Sequence, residues 1–150
     1  VNREGTSFTL IDDSFNANPD SMKAGLNGLK AWNSNDGKEP FRVALLGAML
    51  ELGADETALH TSIGTYADEL GIDAIIAVGS AQDQHLDALA QALADGARQS
   101  QSASVDCVHD IDAAEQLVID LARNHPDAVV LLKGSHASGL SALAERWAKN

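Results

Sequence analysis

Short, almost uninterrupted apolar runs alternate along this chain with longer segments of helical periodicity. The runs at 41–46, 74–78 and 128–132 are apolar at nearly every position, which is typical of strands buried on both faces of a parallel sheet. The longer segments between them repeat apolar residues every three or four positions, as one face of a helix does. Strand followed by helix, repeated about five times, predicts an α/β fold of the Rossmann-like type: a doubly wound, mostly parallel sheet of about five or six strands with helices on both faces.

The predicted elements fill one domain that spans residues 1–150, because no composition break or repeat divides the chain. Asp112 and Glu115 have the spacing of an N-cap residue and the third helical position, so we expect the fourth helix to begin after Asp112. Val1 is not an initiator methionine, and we expect the short polar segment up to Gly5 to continue from a preceding segment. The strands are predicted at 7–12, 41–46, 74–78, 104–108 and 128–132, and the helices at 19–32, 55–70, 82–97, 112–124 and 140–149.

Composition excludes several classes of partner. The formal net charge of -12 argues against nucleic acid and anionic membrane surfaces, since both select clustered Lys and Arg. The chain has no apolar run near the ~20 residues that a membrane-spanning helix needs, so membrane insertion is not expected. Cys107 is the single cysteine, which prevents a disulfide within the chain and favours the reducing cytoplasm. We interpret Cys107 as a small core residue.

Polar residues follow each predicted strand. If the strands are parallel, their carboxyl ends meet at one edge of the sheet, where α/β folds bind ligands. That edge would carry Asp12-Asp13, the loop after Gly47, Gly79-Ser80, His109-Asp110 and Lys133-Gly134-Ser135. Carboxylates, amides, a lysine and the N–H groups at helix starts suit an anionic or zwitterionic ligand.

The first of these junctions reads as strand, loop and helix start. Asn18 is a good N-cap residue, Pro19 suits the first helical position, and an acid in the first turn complements the helix dipole. One interpretation of these polar residues is purely structural: the strand is ended and the turn is shaped by Asp12, Asp13 and Asn16. Two carboxylates and two amides within seven residues exceed what a cap requires, so a ligand-binding role is the stronger interpretation.

Three segments resemble the C-terminal domain of Mur ligases, in the order found there. The stretch 12–22, DDSFNANPDSM, resembles the opening of that domain in the type that adds D-alanyl-D-alanine to UDP-N-acetylmuramoyl-tripeptide (the MurF type). Residues 46–53, LGAMLELG, followed by His60, and Lys133-Gly134-Ser135 after the last strand are similar to two further segments. We interpret His60 as a packing residue or loop anchor rather than a ligand.

The chain departs from the family's pattern at three positions. Phe15 stands where a Tyr is usual, so a hydroxyl contact would be lost while stacking is kept. Ala48 replaces a typical Asp, and His136 replaces the usual Arg after the serine. A carboxylate contact by that Arg is therefore not expected in this chain.

The resemblance implies an ATP-dependent amide-bond ligase of peptidoglycan synthesis in the cytoplasm. In that family ATP phosphorylates a substrate carboxylate, and the amine of D-alanyl-D-alanine attacks the acyl phosphate; Mg²⁺ bridges the phosphates. The N-terminal UDP-sugar domain and the central ATPase domain, which hold most of the ATP and Mg²⁺, are not found in these 150 residues. We therefore expect the isolated domain to fold but not to catalyse, and we assign it no catalytic residue and no metal ligand.

The resemblance and the predicted edge together indicate two groups of binding residues. One group faces the nucleotide, where Asp13 could hold the ribose hydroxyls, and the other faces the phosphate or the incoming dipeptide. The nucleotide group is Asp13, Asn16 and Asn18, and the phosphate and dipeptide group is Lys133, Gly134 and Ser135.

Alternative interpretations remain open at this point. Pairing of Lys133 with one of the many acids is the first alternative. The second is that the full-length protein is another Mur or folylpolyglutamate-type ligase, although the asparagine-rich segment 16–19 favours the dipeptide-adding type. A free-standing ligand-binding module of flavodoxin-like shape is the third possibility.

Overall fold

A five-stranded parallel sheet forms the centre of the computed structural model, which describes residues 1–14, 17–33 and 37–149 except for the side chain of His136. A short antiparallel hairpin precedes this sheet. The hairpin strands are β1 (Asn2–Arg3) and β2 (Thr6–Ser7), and the sheet strands are β3 (Thr9–Asp13), β4 (Arg42–Gly47), β5 (Ala74–Val78), β6 (Ser104–Val108) and β7 (Val129–Lys133). The strand order in the sheet is β3–β7–β4–β5–β6, so β7, the last strand of the sequence, lies between β3 and β4.

Five α-helices cover the two faces of the sheet in the described part of the chain. The helices are α1 (Pro19–Ala31), α2 (Glu56–Glu69), α3 (Gln84–Ala97), α4 (Ile111–Asn124) and α5 (Leu140–Ala148). One apolar core joins the sheet to α1, α2 and α3, and a second joins it to α4 and α5. This confirms the predicted α/β class, and each predicted element is present with bounds that differ by at most two residues. None of the described helices combines the length and apolar character required to cross a membrane.

Strand β7 shows how the alternation of side chains positions the edge residues. Val129 and Leu131 belong to the core under α1, α2 and α3, whereas Val130 and Leu132 belong to the core under α4 and α5. Successive side chains of a strand point to opposite faces, so Lys133 continues the first set. Its side chain therefore leaves the sheet on the side of α1.

Helices α2 and α3 pack unusually closely because each has a glycine at their contact. A Cβ atom added to Gly64 would lie 1.9 Å from the carbonyl oxygen of Leu93, and one added to Gly96 would lie 2.1 Å from that of Thr61. Both distances are far below van der Waals contact, so only glycine fits at these two positions. The sequence analysis did not single out either residue.

The predicted start of α4 was wrong. Asp110, not Asp112, is the N-cap residue, and its Oδ1 accepts a hydrogen bond of 2.7 Å from the backbone N–H of Ala113. A helix that begins at Ile111 turns that apolar side chain toward the core under α4 and α5. Two aspartates two residues apart offer alternative caps, and the burial of the residue between them decides which one is used.

Glu115 has a different role from the predicted capping one. Its carboxylate lies 3.2 Å from the Nε of Arg3 and 2.9 Å from a guanidinium nitrogen of Arg146. The indole N–H of Trp147 donates to the same carboxylate at 2.7 Å. The edge of the Trp147 ring also packs against Phe8. Glu115 thus connects the N-terminal hairpin to both helices of this face.

Candidate functional site

The carboxyl ends of the five strands lie along one edge of the sheet, as predicted. In the register, Asp13 is the partner of Lys133, Lys133 is the partner of Leu46, and Gly47 is the partner of Val78. All pairs are parallel, so the polar segments that follow these strands are neighbours along one edge. The predicted alignment of the strand ends along one edge is therefore confirmed, whereas the binding roles of the residues there stay predictions.

A partly buried ion pair joins the first and last strands of the parallel sheet at this edge. The Nζ of Lys133 lies 2.6 Å from the Oδ2 of Asp13. The side chain of Lys133 is 1% exposed and that of Asp13 is 48% exposed. A buried ammonium requires a close partner, because desolvation of an unpaired charge is very unfavourable. Asp13 was predicted for the nucleotide group and Lys133 for the phosphate and dipeptide group, and the two residues are in direct contact. The Asp13 side chain is the solvent-exposed member of the pair.

Asp12 stabilises the turn that follows strand β3. Its Oδ1 accepts hydrogen bonds from the backbone N–H of Ser14 at 3.2 Å and from the Ser14 hydroxyl at 2.7 Å. Ser14 is fully buried. This is the usual way in which an aspartate stabilises a turn two residues ahead, so Asp12 has the turn-shaping role that the sequence left open.

Asn18 caps helix α1, as its position before Pro19 predicted. Its side-chain oxygen accepts from the backbone N–H of Ser21 at 2.9 Å, and the Ser21 hydroxyl accepts from the backbone N–H of Asn18 at 3.1 Å. This reciprocal arrangement is a capping box. Contact of Asn18 with a nucleotide stays a prediction. Asn16 and Phe15 lie outside the described residues.

Gly134 lies where two loops of the edge meet. A Cβ atom on Gly134 would be 2.9 Å from the Cα of Gly47 and 2.8 Å from the hydroxyl oxygen of Ser138. A Cβ on Gly47 would be 2.4 Å from the Cβ of Ser138. Both glycines are therefore required for the packing of these loops. The assignment of Gly134 to the phosphate and dipeptide group stays a prediction.

Ser135 has the one buried side-chain hydroxyl in the described residues that lacks a hydrogen-bond partner. Its backbone is well held, since its N–H donates to the carbonyl of Ala48 at 3.1 Å and its own carbonyl accepts from the Ser138 hydroxyl at 2.6 Å. A buried hydroxyl without a partner costs about 1–3 kcal/mol. Such a group in an edge loop is a candidate donor to a ligand.

His60 holds the loop that follows β4. The ring is fully buried, its Nε2 lies 2.9 Å from the backbone nitrogen of Met49, and its Nδ1 lies 2.7 Å from the carbonyl oxygen of Glu56. Because the N–H of Met49 can only donate and a carbonyl can only accept, the ring carries its proton on Nδ1 and is neutral. Burial lowers the pKa of His60. This geometry confirms the interpretation of His60 as a loop anchor.

The anchored loop contains a strained residue. Glu51 has a φ of 61°, a left-handed conformation that non-glycine residues adopt at a cost of about 1 kcal/mol. Leu50 beside it is the one large hydrophobic side chain that is exposed in the described residues. Glu51 lies in the bend that follows Met49 and Leu50, in the loop that His60 anchors.

The far end of the edge contains a histidine–aspartate pair that the sequence did not reveal. The Nδ1 of His109 lies 2.7 Å from the Oδ1 of Asp87, which also accepts from the backbone N–H of Ser80 at 3.3 Å. A cavity of about 450 Å³ lies beside these three residues. Asp87 is in the first turn of α3 and packs against Gly79, at which a Cβ would lie 2.3 Å from its Oδ1. A local sequence pattern does not show such a contact between two elements.

Cys107 is half-buried on the edge strand β6, against the core under α1, α2 and α3. Burial raises the pKa of its thiol, which lowers the thiolate fraction and hence its reactivity. Throughout residues 1–14, 17–33 and 37–149, no group of three or more His, Cys, Asp or Glu side chains is arranged to hold a metal ion.

A doubly wound parallel sheet with a polar carboxyl edge places this chain in the class of open α/β domains, in which ligands bind outside the carboxyl ends of the strands. Comparison with known families makes this specific, because the model of the Mur ligase, glutamate ligase domain matches residues 1–136. The chain therefore belongs to the Mur ligase family, which confirms the resemblance inferred from its three sequence segments.

Two relatives, from different bacteria, have the same name. The chain is 38% identical over 151 residues to UDP-N-acetylmuramoyl-tripeptide–D-alanyl-D-alanine ligase of Mycobacterium tuberculosis, a match that covers 97% of this chain and 29% of that protein. The enzyme of the same name from Escherichia coli K12 is 40% identical over 70 residues, covering 47% of this chain and 14% of that protein. The chain thus spans less than a third of the length of these relatives.

A solved structure supports the same assignment of fold. A crystal structure of MurF from Acinetobacter baumannii superposes with a TM-score of 0.74 and 26% sequence identity, covering 95% of this chain and 28% of that one. The architecture of the two domains is therefore the same across nearly the whole chain.

Proposed function

We propose that this chain works as the C-terminal domain of an ATP-dependent ligase that joins D-alanyl-D-alanine to UDP-N-acetylmuramoyl-tripeptide. The terminal phosphoryl group of ATP is transferred to a carboxylate of the tripeptide, which gives an acyl phosphate and ADP. The amine of the dipeptide then attacks the acyl carbon, phosphate leaves, and an amide bond forms. The names of the relatives above, and the 38% identity of the Mycobacterium tuberculosis enzyme to this chain, support the assignment.

The observation that carries the proposal is the ion pair between Lys133 and Asp13. Phosphoryl transfer depends mainly on the positioning and neutralisation of negative charge. Lys133 supplies a positive charge that burial and Asp13 hold in one place, at the edge where ligands of this fold bind. A fixed charge stabilises a transition state better than a mobile one because it needs no reorganisation during the reaction.

The edge divides into two functional parts in this proposal. We assign Asp13, Asn16 and Asn18 to the nucleotide side; Asn18 is also the N-cap residue of α1. Lys133, Gly134 and Ser135 lie on the phosphate and dipeptide side, and the unpartnered hydroxyl of Ser135 gives that side a donor. In this proposal Mg²⁺ and most of the ATP contacts belong to a central domain of the full-length protein.

Closure of this domain over the central domain would bring the two parts of the edge to the substrates. The isolated domain then folds without catalysing, since it holds only one side of the site. The substrates are cytoplasmic in this proposal, and the partners are those substrates and the central domain, with no nucleic acid and no membrane insertion. ATP-dependent ligation by the 150-residue chain alone would contradict this division of the site.

The test is a ligation assay with the full-length protein and a panel of amino components. Amide formation and ADP release are measured together with UDP-N-acetylmuramoyl-tripeptide and D-alanyl-D-alanine, and then with single amino acids and a folylglutamate acceptor system. We expect coupled turnover with the dipeptide. Turnover with a single amino acid instead would identify another ligase of the family, and no turnover with any component would favour a binding module.

Lys133→Met tests the role of the buried charge in the same assay. Methionine keeps the length and the apolar stem but removes the ammonium, and we expect a decrease in kcat of about 100-fold or more, the scale of one lost charge contact. Lys149→Met is the matched control, because Lys149 is exposed at the end of α5. Equal kcat values for the two variants would show that the buried charge takes no part in the reaction.

A further inference from the structure

Gly25 lies in the interior of helix α1, where glycine is a poor helix former. Its position is opposite the end of β7. A Cβ atom added to Gly25 would lie 2.7 Å from the Cδ and 3.3 Å from the Cε of Lys133. The same atom would lie 3.6 Å from the Oδ2 of Asp13. A single methyl group at this position would therefore touch both members of the ion pair.

Lys133 has little room to move away from such a methyl group. Its side chain is 1% exposed, and its Nζ is held 2.6 Å from Asp13. Met22 and Leu26, which precede and follow Gly25 on the inward side of α1, are fully buried in the core under this helix. The clash is with the middle of the lysine stem rather than its free end, so relief requires either a shift of α1 or a different path for the stem.

We propose that Gly25 is a positioning residue for the ligase reaction. The space left by its missing side chain forms a channel between α1 and the sheet. The Lys133 stem passes through this channel and delivers its ammonium to Asp13 at the carboxyl edge. This inference rests on the proposed function, in which the charge of Lys133 acts at the edge.

The same helix provides a matched control. Gly28 lies three residues later in α1 and is exposed, and a Cβ atom added there meets nothing within 4 Å. Alanine is a better helix former than glycine, so Gly28→Ala leaves the site unchanged and does not weaken the helix. Any effect of Gly25→Ala that Gly28→Ala lacks comes from the contact with the ion pair.

The first experiment compares Gly25→Ala with Gly28→Ala in the full-length protein. Displacement of a reacting charge by about 1 Å costs about 100-fold in rate, so kcat and kcat/KM for ligation should both fall by about 10- to 100-fold in Gly25→Ala. A parallel decrease in both constants indicates loss of an interaction made in the transition state. Gly28→Ala should have the kinetics of the unaltered protein.

The second experiment follows Lys133 itself and does not depend on activity. The lysines of the 150-residue chain are labelled by brief reductive methylation, and the modified positions are identified by mass spectrometry. Lys133 should resist labelling in the unaltered protein and in Gly28→Ala, because it is buried. Displacement in Gly25→Ala should raise its labelling rate at least several-fold relative to the exposed Lys149.

A double variant keeps the inference testable if Gly25→Ala is too unstable to assay. Lys133→Ala removes the stem, so the methyl group of Gly25→Ala then fits into the vacated channel. The double variant should have a melting temperature equal to or above that of Lys133→Ala alone. A melting temperature lowered equally by Gly25→Ala in both backgrounds would overturn the contact on which the inference depends.

The remaining outcomes separate the inference from the proposed function. Unchanged ligation kinetics in Gly25→Ala, in a protein that ligates the dipeptide normally, would overturn the positioning role alone. Protection of Lys133 from labelling in Gly25→Ala would also overturn it. Absence of ligation by the unaltered full-length protein would remove the proposed function and this inference with it.

Discussion

The close crossing of α2 and α3 makes Gly64→Ala strongly destabilising. The added Cβ would lie 1.9 Å from the carbonyl oxygen of Leu93 and 2.8 Å from the backbone nitrogen of Ala97. Both atoms are backbone atoms of α3, so no side chain can turn away to make room. Ordinary contact begins at 3.4 Å, and the helices would have to separate by about 1.5 Å at this point.

The expected loss follows from two opposing effects. Overpacking of a buried contact costs typically about 1–3 kcal/mol, occasionally more, and a backbone clash of this size belongs at the upper limit. Alanine is favoured over glycine in a helix by about 1 kcal/mol, which offsets part of the cost. We therefore expect the free energy of unfolding to fall by about 2–3 kcal/mol, or about 5–10 °C in melting temperature for a domain of this size.

Urea denaturation of the 150-residue chain measures this loss. The midpoint should decrease while the m-value stays constant, because the surface exposed on unfolding does not change. Gly28→Ala in α1 is the control and should raise the midpoint through helix propensity alone. A Gly64→Ala protein as stable as the unaltered chain would show that the two helices are not packed as described.

Two other side chains give testable effects. Burial holds the pKa of His60 below its usual 6.5, so its contribution is complete above pH 6.5. As the pH falls from 6.5 toward the lower folded-state pKa, the unfolded chain binds the proton first and stability decreases by up to about 1.4 kcal/mol per pH unit. His60→Gln should remove this part of the slope in urea denaturations between about pH 7.5 and about pH 5.5, and an unchanged slope would contradict the burial of a neutral ring. Glu115→Gln keeps the acceptor for Trp147 but removes the charge that faces two arginines. It should cost about 1–2 kcal/mol and speed amide exchange at Phe8, whereas slow exchange there would mean that the hairpin is held without Glu115.

Most elements of the fold could be predicted because each depends on a local pattern. The apolar run at 74–78 predicts a strand, and the apolar residues repeated every three or four positions at 55–70 predict a helix. Each pattern can be read from its own short segment, and the structure confirms both elements. The strand order could not be predicted in this way, since a pattern shows which face is buried but not which strand is the neighbour. The placement of β7 between β3 and β4 is of this second kind.

The N-terminal hairpin escaped prediction because its strands have only two residues each. Its loop nevertheless contains a recognisable signal. Glu4 and Gly5 both have positive φ, 50° and 77°, as a two-residue hairpin turn of the type I′ class requires. The dipeptide Glu4-Gly5 between two short polar segments was the sequence feature that could have indicated this turn.

The candidate site shows the same limit on prediction. Parallel topology placed Asp13 and Lys133 on one edge, but it could not select Asp13 as the lysine's partner among 22 acids. That choice depends on the register of β3 against β7. The capping role of Asn18 was predicted because a cap is local, whereas the contacts of Glu115 join three distant elements and were missed.

The position of β7 has a consequence for synthesis on the ribosome. Strand β3 emerges first, but its neighbour in the sheet is the last strand made, and Asp13 meets a lysine 120 residues further along the chain. A product that stops before residue 129 would lack the strand that joins β3 to β4. A premature stop codon that falls late in this region, but before residue 129, is therefore as damaging as an early one, because the shortened product cannot contain the assembled edge.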